Sequence, residues 1–199
     1  MEAKIEAPKP RTFGALHLCM GAELHRDSTF RPLMNIIKHE SIIESVALTS
    51  DCGNYRFVLS RVWDKTKKIG AFLCANPSMA DEIRNDMTVF KCGNLAADWG
   101  WGGFHILNLY PNYSTDPSGV IHNSQADDLN EQHARKIMAG ADVVVIACGN
   151  GHEKRLSELI RDIPRIKLHC LRRNIGGGYL HPSRIDPKDF PRTVKAFEE

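Results

Sequence analysis

Ile69-Gly70-Ala71-Phe72-Leu73-Cys74-Ala75-Asn76-Pro77-Ser78-Met79-Ala80-Asp81 decides the reading of this chain. The run Gly70–Ala75 is apolar on both faces and stops abruptly at Asn-Pro-Ser. Strands covered on both sides look like this. Three further runs share the character: Phe104–Leu109, Val143–Cys148 and Ile166–Leu171. Between them, Ala80–Trp99, Asn123–Ala139 and Lys154–Asp162 each leave room for a helix. Strands alternating with helices predict an α/β fold. The expected form is a three-layer α/β/α domain with a short, mainly parallel four-stranded central sheet.

Upstream, Ser45–Thr49 and Tyr55–Trp63 flank the turn Ser50-Asp51-Cys52-Gly53-Asn54. Apolar runs around such a turn predict an N-terminal antiparallel hairpin. Strict alternation would put Phe57, Leu59 and Arg61 on one face, with Arg56, Val58 and Ser60 on the other. Phe30–Glu44 has helical apolar spacing, and Met1–Arg11 is expected to be a loose arm. The chain is thus divided into an arm and helix over residues 1–40 and a single α/β domain over 41–199.

Its 199 residues are 42% hydrophobic and 25% charged, which excludes disordered, collagen-like and coiled-coil classes. The net charge of +2 announces no polyanion partner, but Arg161–Lys195 holds nine Lys/Arg against three Asp. Such a segment suits a phosphate backbone, although most charge runs are solvated faces. The six cysteines lie far apart with no CxxC, so neither a metal site nor any other cofactor is expected. Cys74 and Cys148 sit inside apolar runs and are expected to be buried thiols. No leader and no membrane-length apolar run is apparent, and the expected setting is cytoplasmic, with no membrane association and a monomer favoured.

In open parallel sheets ligands bind beyond the carboxyl ends of the strands. Those ends carry Asn76-Pro77-Ser78, then Asn108-Leu109-Tyr110-Pro111-Asn112, then Gly149-Asn150-Gly151-His152. After the fourth run comes Arg172–Tyr179, leading to Leu180-His181-Pro182-Ser183-Arg184-Ile185. The set is rich in amides, hydroxyls and imidazoles, suited to hydrogen-bonding a neutral heterocycle. Each member also has a plain structural reading. Asn-Pro starts turns, Asn108 would cap a strand end, and a histidine is more often structural than catalytic. Trp99-Gly100-Trp101-Gly102-Gly103 is best read as a helix-to-strand connection with buried indoles. The three glycines 176–178 mark a flexible or phosphate-approaching loop.

Taken together, Asn76-Pro77-Ser78 after the first parallel strand, Asn108-Leu109-Tyr110-Pro111, and His181-Pro182-Ser183 after the last resemble the active-site motifs of the uracil-DNA glycosylase superfamily. The mismatch-specific and single-strand-selective branches, with their Asn-Pro-Gly first motif, are the most similar. The resemblance covers Ile69 to Ile185. The chain also resembles an uncharacterised bacterial and phage domain family. Its patterns N-P-S-x-A-D, W-G-x-G-G, N-L-x-x-x-x-x-T-D-P and a late H-P appear here as Asn76–Asp81, Trp99–Gly103, Asn108 through Thr115-Asp116-Pro117, and His181-Pro182.

The glycosylase resemblance implies a hydrolase acting on DNA: an N-glycosylase that releases a flipped, modified pyrimidine and leaves an abasic site. Base-excision repair and conflict between phage and host are the implied settings. In that reading Asn76 positions the water and His181 stabilises charge on the departing base, each catalytic. Pro77 stiffens the loop, Ser78 and Ser183 bind flanking phosphates, Tyr110 stacks on the base, and Asn108 or Asn112 reads its edge. Arg172 and Arg173 contact the DNA backbone, and Arg184 and Ile185 stand where the family places its wedge. Ser78 departs from the usual glycine. Asp81 or Asp86 is an alternative water-orienting carboxylate, against a reading of Asp81 as a first-turn residue of the next helix. Other readings stay open: an enzyme acting on a free nucleoside or nucleotide, one that remodels a modified base, a non-catalytic reader of modified DNA, and, most distantly, a Cys148 hydrolase.

Overall fold

The computed structural model describes residues 36–113, 123–186, 188 and 195–196. The chain divides into two units, Met1–His39 and Glu40–Glu199, and the architecture below is that of the second. Seven strands form one mixed sheet: β1 Glu44–Thr49, β2 Arg56–Val62, β3 Ile69–Cys74, β4 Gly103–Asn108, β5 Val143–Ile146, β6 Leu168–Cys170 and β7 Lys195–Ala196. Their order across the sheet is β1-β2-β4-β3-β5-β6-β7. The middle four are parallel, in the order β4-β3-β5-β6. The sheet is therefore larger than the expected four strands. The hairpin β1–β2 joins its edge through antiparallel β2–β4 pairing, and β7 closes the other edge.

Among the described residues, three α-helices cover the faces: α1 Met87–Asp98, α2 Ser124–Gly140 and α3 Glu153–Ile160. Alternation along the parallel strands sends Phe72, Cys74, Ile106 and Val145 to one side, where α1 packs with Val89, Cys92, Leu95 and Ala96. Ala71, Leu73, Leu107, Val144 and Ile146 go to the other side, against Ala134 and Met138 of α2 and Leu156 and Leu159 of α3. The period of two in the strands thus produces two separate apolar cores, one on each side of the sheet.

Helices α1 and α2 start where the sequence supplies a side-chain cap, whereas His152 before α3 makes no such bond. Asn123 accepts from Ala126 N–H at 3.1 Å, and Asp86 accepts from Val89 N–H at 2.9 Å. The expected Ala80–Trp99 helix is shortened to Met87–Asp98 because the carbonyls of Ser78, Ala80 and Asp81 are taken by arginine side chains and cannot accept helical N–H groups. Asp81 is therefore not a first-turn residue of that helix, and Asp86 is its cap. The helix expected over Phe30–Glu44 is absent from the described part of that stretch. Residues 36–43 are non-helical, Glu44 opens β1, and 30–35 lie outside the described residues, as does the Met1–Arg11 arm.

Strict alternation in β2 is broken as well. The register runs Leu48↔Val58 and then Thr49↔Arg56, leaving Phe57 as a bulge residue. Phe57 and Val58 both join the α2/α3 core, while Leu59 faces α1. The extra residue returns Arg56 to the side of Leu59 and Arg61, the opposite of its expected face.

The Trp-Gly-Trp-Gly-Gly segment is a packed connection. Trp101 is buried and lies against Phe72 at 5.8 Å and Trp99 at 4.9 Å between ring centroids. A Cβ on Gly70 would stand 2.0 Å from the Trp101 ring, and one on Gly102 would stand 1.7 Å from the Asp64 carbonyl oxygen. Gly102→Ala is therefore expected to destabilise the domain by about 3 kcal/mol. Gly140→Ala, whose Cβ would meet nothing within 4 Å, should stabilise it by roughly 0.5 kcal/mol. Urea-denaturation midpoints of the two variants check the pair.

Candidate functional site

Helix α1 follows β3 onto one face of the sheet, and α3 follows β5 onto the other. β3 and β5 are neighbours. Chains leaving adjacent strand ends in opposite directions open a crevice, and here it lies beyond Cys74 and Ile146. Asn76 and Gly149–His152 flank it by connectivity.

β4 ends beside it. Leu109 and Tyr110 continue the pairing with N–H bonds to the Cys74 and Ala75 carbonyls, at 2.9 and 3.0 Å. The Asn76 amide donates from Nδ2 to Oδ1 of buried Asn112, at a long 3.5 Å. Tyr110 meets His152 edge-on, 5.7 Å between ring centroids, and burial pushes its phenol pKa up.

Asn108 is wholly buried, and neither Oδ1 nor Nδ2 has a hydrogen-bond partner among the described residues. It pairs in register with Cys74, so its side chain belongs to the α1 side of the sheet. Orphaned buried amides are uncommon and call for an explanation. On the opposite face, buried Asn130 of α2 donates to the Asn108 and Leu109 carbonyls at 2.9 and 3.4 Å, which fixes the backbone at this strand end.

Buried cations hold the two loops that carry the principal candidates. Arg56 Nη1 donates to the carbonyls of Ser78 at 3.2 Å and Ala80 at 2.6 Å. Arg61 Nη2 donates to the Asp81 carbonyl at 2.6 Å and to Asn85 Oδ1 at 3.2 Å. Lys91 of α1 donates from Nζ to the Ser183 and Ile185 carbonyls, at 2.7 and 2.5 Å. All three side chains are buried. The sequence reading missed these cations as organisers. The available signal was two arginines, Arg56 and Arg61, in a mostly apolar strand.

His181 precedes a 3-10 turn, Pro182–Arg184, and arrives through a short hairpin-like return. Gly149 and Tyr179 exchange two backbone hydrogen bonds of 2.9 Å, which bring this segment back to the end of β5. Gly176 and Gly178 are small because they pack on the Gly149-Asn150 loop, whereas Gly177 takes a left-handed φ of 90°. A Cβ on Gly178 would lie 2.2 Å from the Gly149 carbonyl oxygen, and one on Gly176 would lie 2.7 Å from Asn150 Nδ2. Close packing replaces the phosphate-approach reading of this loop.

Ser183 donates to His181 Nδ1 from its hydroxyl at 2.8 Å and from its backbone N–H at 3.3 Å. With Nδ1 accepting, the neutral ring carries its proton on Nε2. Burial, and secondarily the Arg184 charge, hold the pKa down to about 4. The ring is thus a neutral Nε2–H donor near pH 7.

Other candidates fall elsewhere. Asp81 Oδ1 accepts from the Ile83 and Arg84 N–H groups at 2.9 and 2.6 Å, closing a turn. Those bonds hold its carboxyl below the usual range, so it is a poor proton acceptor. Pro77 is buried and Ser78 half-buried, its carbonyl engaged by Arg56. Ile185 is 4% exposed and packed in the α1-side core, so it cannot serve as a wedge into a duplex. Arg172, Arg173, Ser183 and Arg184 are exposed, and Arg173 lies over the Tyr179 ring at 5.6 Å. The basic segment does not form one track. Arg165 and Lys167 precede β6, at the far end of the parallel strands, whereas Arg172, Arg173 and Arg184 follow it. Burial pushes the Cys148 thiol up to about 12, which removes the thiolate a cysteine hydrolase needs. Thr115-Asp116-Pro117 lies outside the described residues. Among the described residues no group of three His, Cys, Asp or Glu could hold a metal ion, and no helix is long and apolar enough to cross a membrane.

The depressed His181 pKa has a definite sign. The unfolded chain takes up this proton near pH 6.5, the folded chain only near 4. Stability contributed by the neutral ring is complete above pH 6.5 and falls as the pH drops from 6.5 towards 4. An NMR titration of the His181 ring should give a midpoint near 4. A midpoint near 6.5 would contradict the half-buried, Ser183-bonded ring.

No curated protein matches the chain. Among solved structures, hetero-hexameric glutamate dehydrogenase from Thermus thermophilus in its Leu-bound form aligns at a TM-score of 0.32 and 11% identity. The alignment covers 65% of this chain and 33% of that one, so the chain spans about a third of that protein's length. An alignment at this score carries nothing about activity. Residues 56–183 match the family described as protein of unknown function (DUF1643), a span that runs from Arg56 to the Ser183 turn, and the chain belongs to that family.

Proposed function

We propose that this protein is a DNA N-glycosylase that binds a flipped pyrimidine beyond the β3, β4 and β5 strand ends and hydrolyses its bond to the sugar. The observation that carries the reading is Asn108, a wholly buried amide with a donor and an acceptor both unpartnered among the described residues. A pyrimidine's imide edge offers the complementary acceptor and donor side by side. The amide is closed over in this conformation, so a base reaches it only when the loops beyond the strand ends open.

The remaining groups fit the same chemistry. Asn76 donates from Nδ2 to Asn112, which orients its amide and leaves its carbonyl oxygen to hold a water. An amide cannot take a full proton, so its contribution is position. The water oxygen attacks the anomeric carbon as the carbon–nitrogen bond breaks, and the bond's electron pair leaves with the base. Neutral His181 donates from Nε2–H to the base carbonyl oxygen, where that charge gathers, and the proton lost by the attacking water passes to solvent. A donor of this kind is worth about 3 kcal/mol in the transition state. Asp81 has no part in these steps.

The test is release of a base from DNA containing uracil, mismatched thymine or hydroxymethylated and glucosylated pyrimidines, read as strand cleavage by alkali. Asn76→Ala and His181→Ala are each expected to slow release by about 100-fold. Asn108→Ala should raise KM and weaken discrimination between pyrimidines, because the edge loses its partner. Absence of abasic sites on every substrate, or variants as active as the parent, would overturn the reading. Retained binding of modified DNA without release would replace it with a non-catalytic reader.

A further inference from the structure

A cavity lies on the hairpin side of the Asn76–Asn112 contact. It is a cleft of about 590 Å³, lined among others by Tyr55, Met79, Asp81, Arg84, Asn112 and Tyr113. We propose that this cleft holds an unpaired nucleotide flanking the one presented to Asn76 and His181, so that the substrate strand is single or locally melted. The proposal rests on the glycosylase reading of the neighbouring crevice.

Position supports it first. Asn112 belongs to both places: its Oδ1 accepts from Asn76 Nδ2, and it also lines the cleft. A strand whose base is held at Asn76 runs on naturally past Asn112. The volume falls in the range of sites for ligands of nucleotide size.

The lining chemistry supports it second. Two phenol rings and an exposed thioether give flat apolar surface, on which any base can stack. The Tyr113 ring also lies over the Arg56 guanidinium, 5.9 Å from its carbon, and so rests on the group that holds the Ser78 and Ala80 carbonyls. The Asp81 carboxylate is spent on two backbone N–H groups and stands 3.8 Å from Arg84 Nε. The Asp81 carboxylate faces inward beside Arg84, so the cleft interior carries little net charge and suits a neutral heterocycle. The Arg84 side chain is 82% exposed, placed to meet a phosphate at the cleft edge.

A base stacked inside the cleft cannot keep its complement, and this separates single strands from duplex. The experiment is fluorescence anisotropy with a labelled five-nucleotide pyrimidine DNA, the same sequence inside a hairpin duplex, and the free mononucleotide. The single strand should bind at least about tenfold tighter than duplex or mononucleotide. Tyr113→Ala should weaken single-strand binding by about tenfold and Tyr113→Phe by less than about twofold. Arg84→Ala, on an exposed side chain that does not threaten the fold, should weaken it and flatten its salt dependence. Equal binding of duplex and single strand, unchanged binding by Tyr113→Ala and Arg84→Ala, or no binding of the single strand overturns the proposal. Failure of base release alone leaves these binding ratios intact, so the two readings fail separately.

Discussion

Everything at the carboxyl end of this sheet depends on buried cations bonded to backbone carbonyls. Arg56 and Arg61 grip the segment from Ser78 to Asn85, and Lys91 grips the turn after His181. Removing a charged head group from water costs several kcal/mol unless good acceptors replace the water. Hydrogen bonds to charged groups return roughly 1.5–3 kcal/mol each. The loops must therefore fold so that their carbonyls turn inward, and the cations can be buried only when they do. Two segments far apart in sequence are held by the same device. Each carries one of the polar side chains on which the proposed chemistry rests.

The bulge at Phe57 is what makes the first grip possible. Without the extra residue, Arg56 would lie on the α2 side of β2, away from Arg61 and from the loop that follows β3. With it, both guanidinium groups lie on the α1 side and divide the loop between them. The cost falls on the helix, since carbonyls given to arginines cannot start an α-helical ladder. That accounts for the six irregular residues from Asp81 to Asp86, and for a cleft between them and the hairpin.

Much of the frame was legible in the sequence because it rests on periodicity. Both-face apolar runs located β3, β4, β5 and β6, and the stretch Asn123–Ala139 left for a helix holds α2, Ser124–Gly140. Strand order places Asn76 just past β3, whereas His181 reaches the end of β5 only through the Gly149–Tyr179 pairing. The rest depends on tertiary partners that pattern cannot name. A bulge leaves no mark when Arg-Phe-Val-Leu-Ser-Arg alternates acceptably either way. Nothing local separates an Asp81 that begins a helix from one that closes a turn, because the decision lies with Arg56 and Arg61. Ile185 looks like an exposed apolar tip until Lys91 draws its carbonyl down onto α1. The glycines at 176–178 suggested freedom, whereas Asn150 shows that two of them are small for lack of space.

The most direct test of the account is hydrogen exchange, by mass spectrometry, on Arg56→Met against the parent protein. Methionine keeps the apolar stem and removes the donors. The account predicts faster exchange confined to residues 78–86 and the neighbouring Asn112–Tyr113 segment, with the α2 and α3 peptides and the 181–185 turn unchanged. Exchange in the Asn-Pro-Ser loop equal to that of the parent, or a uniform rise across the whole domain, would contradict it.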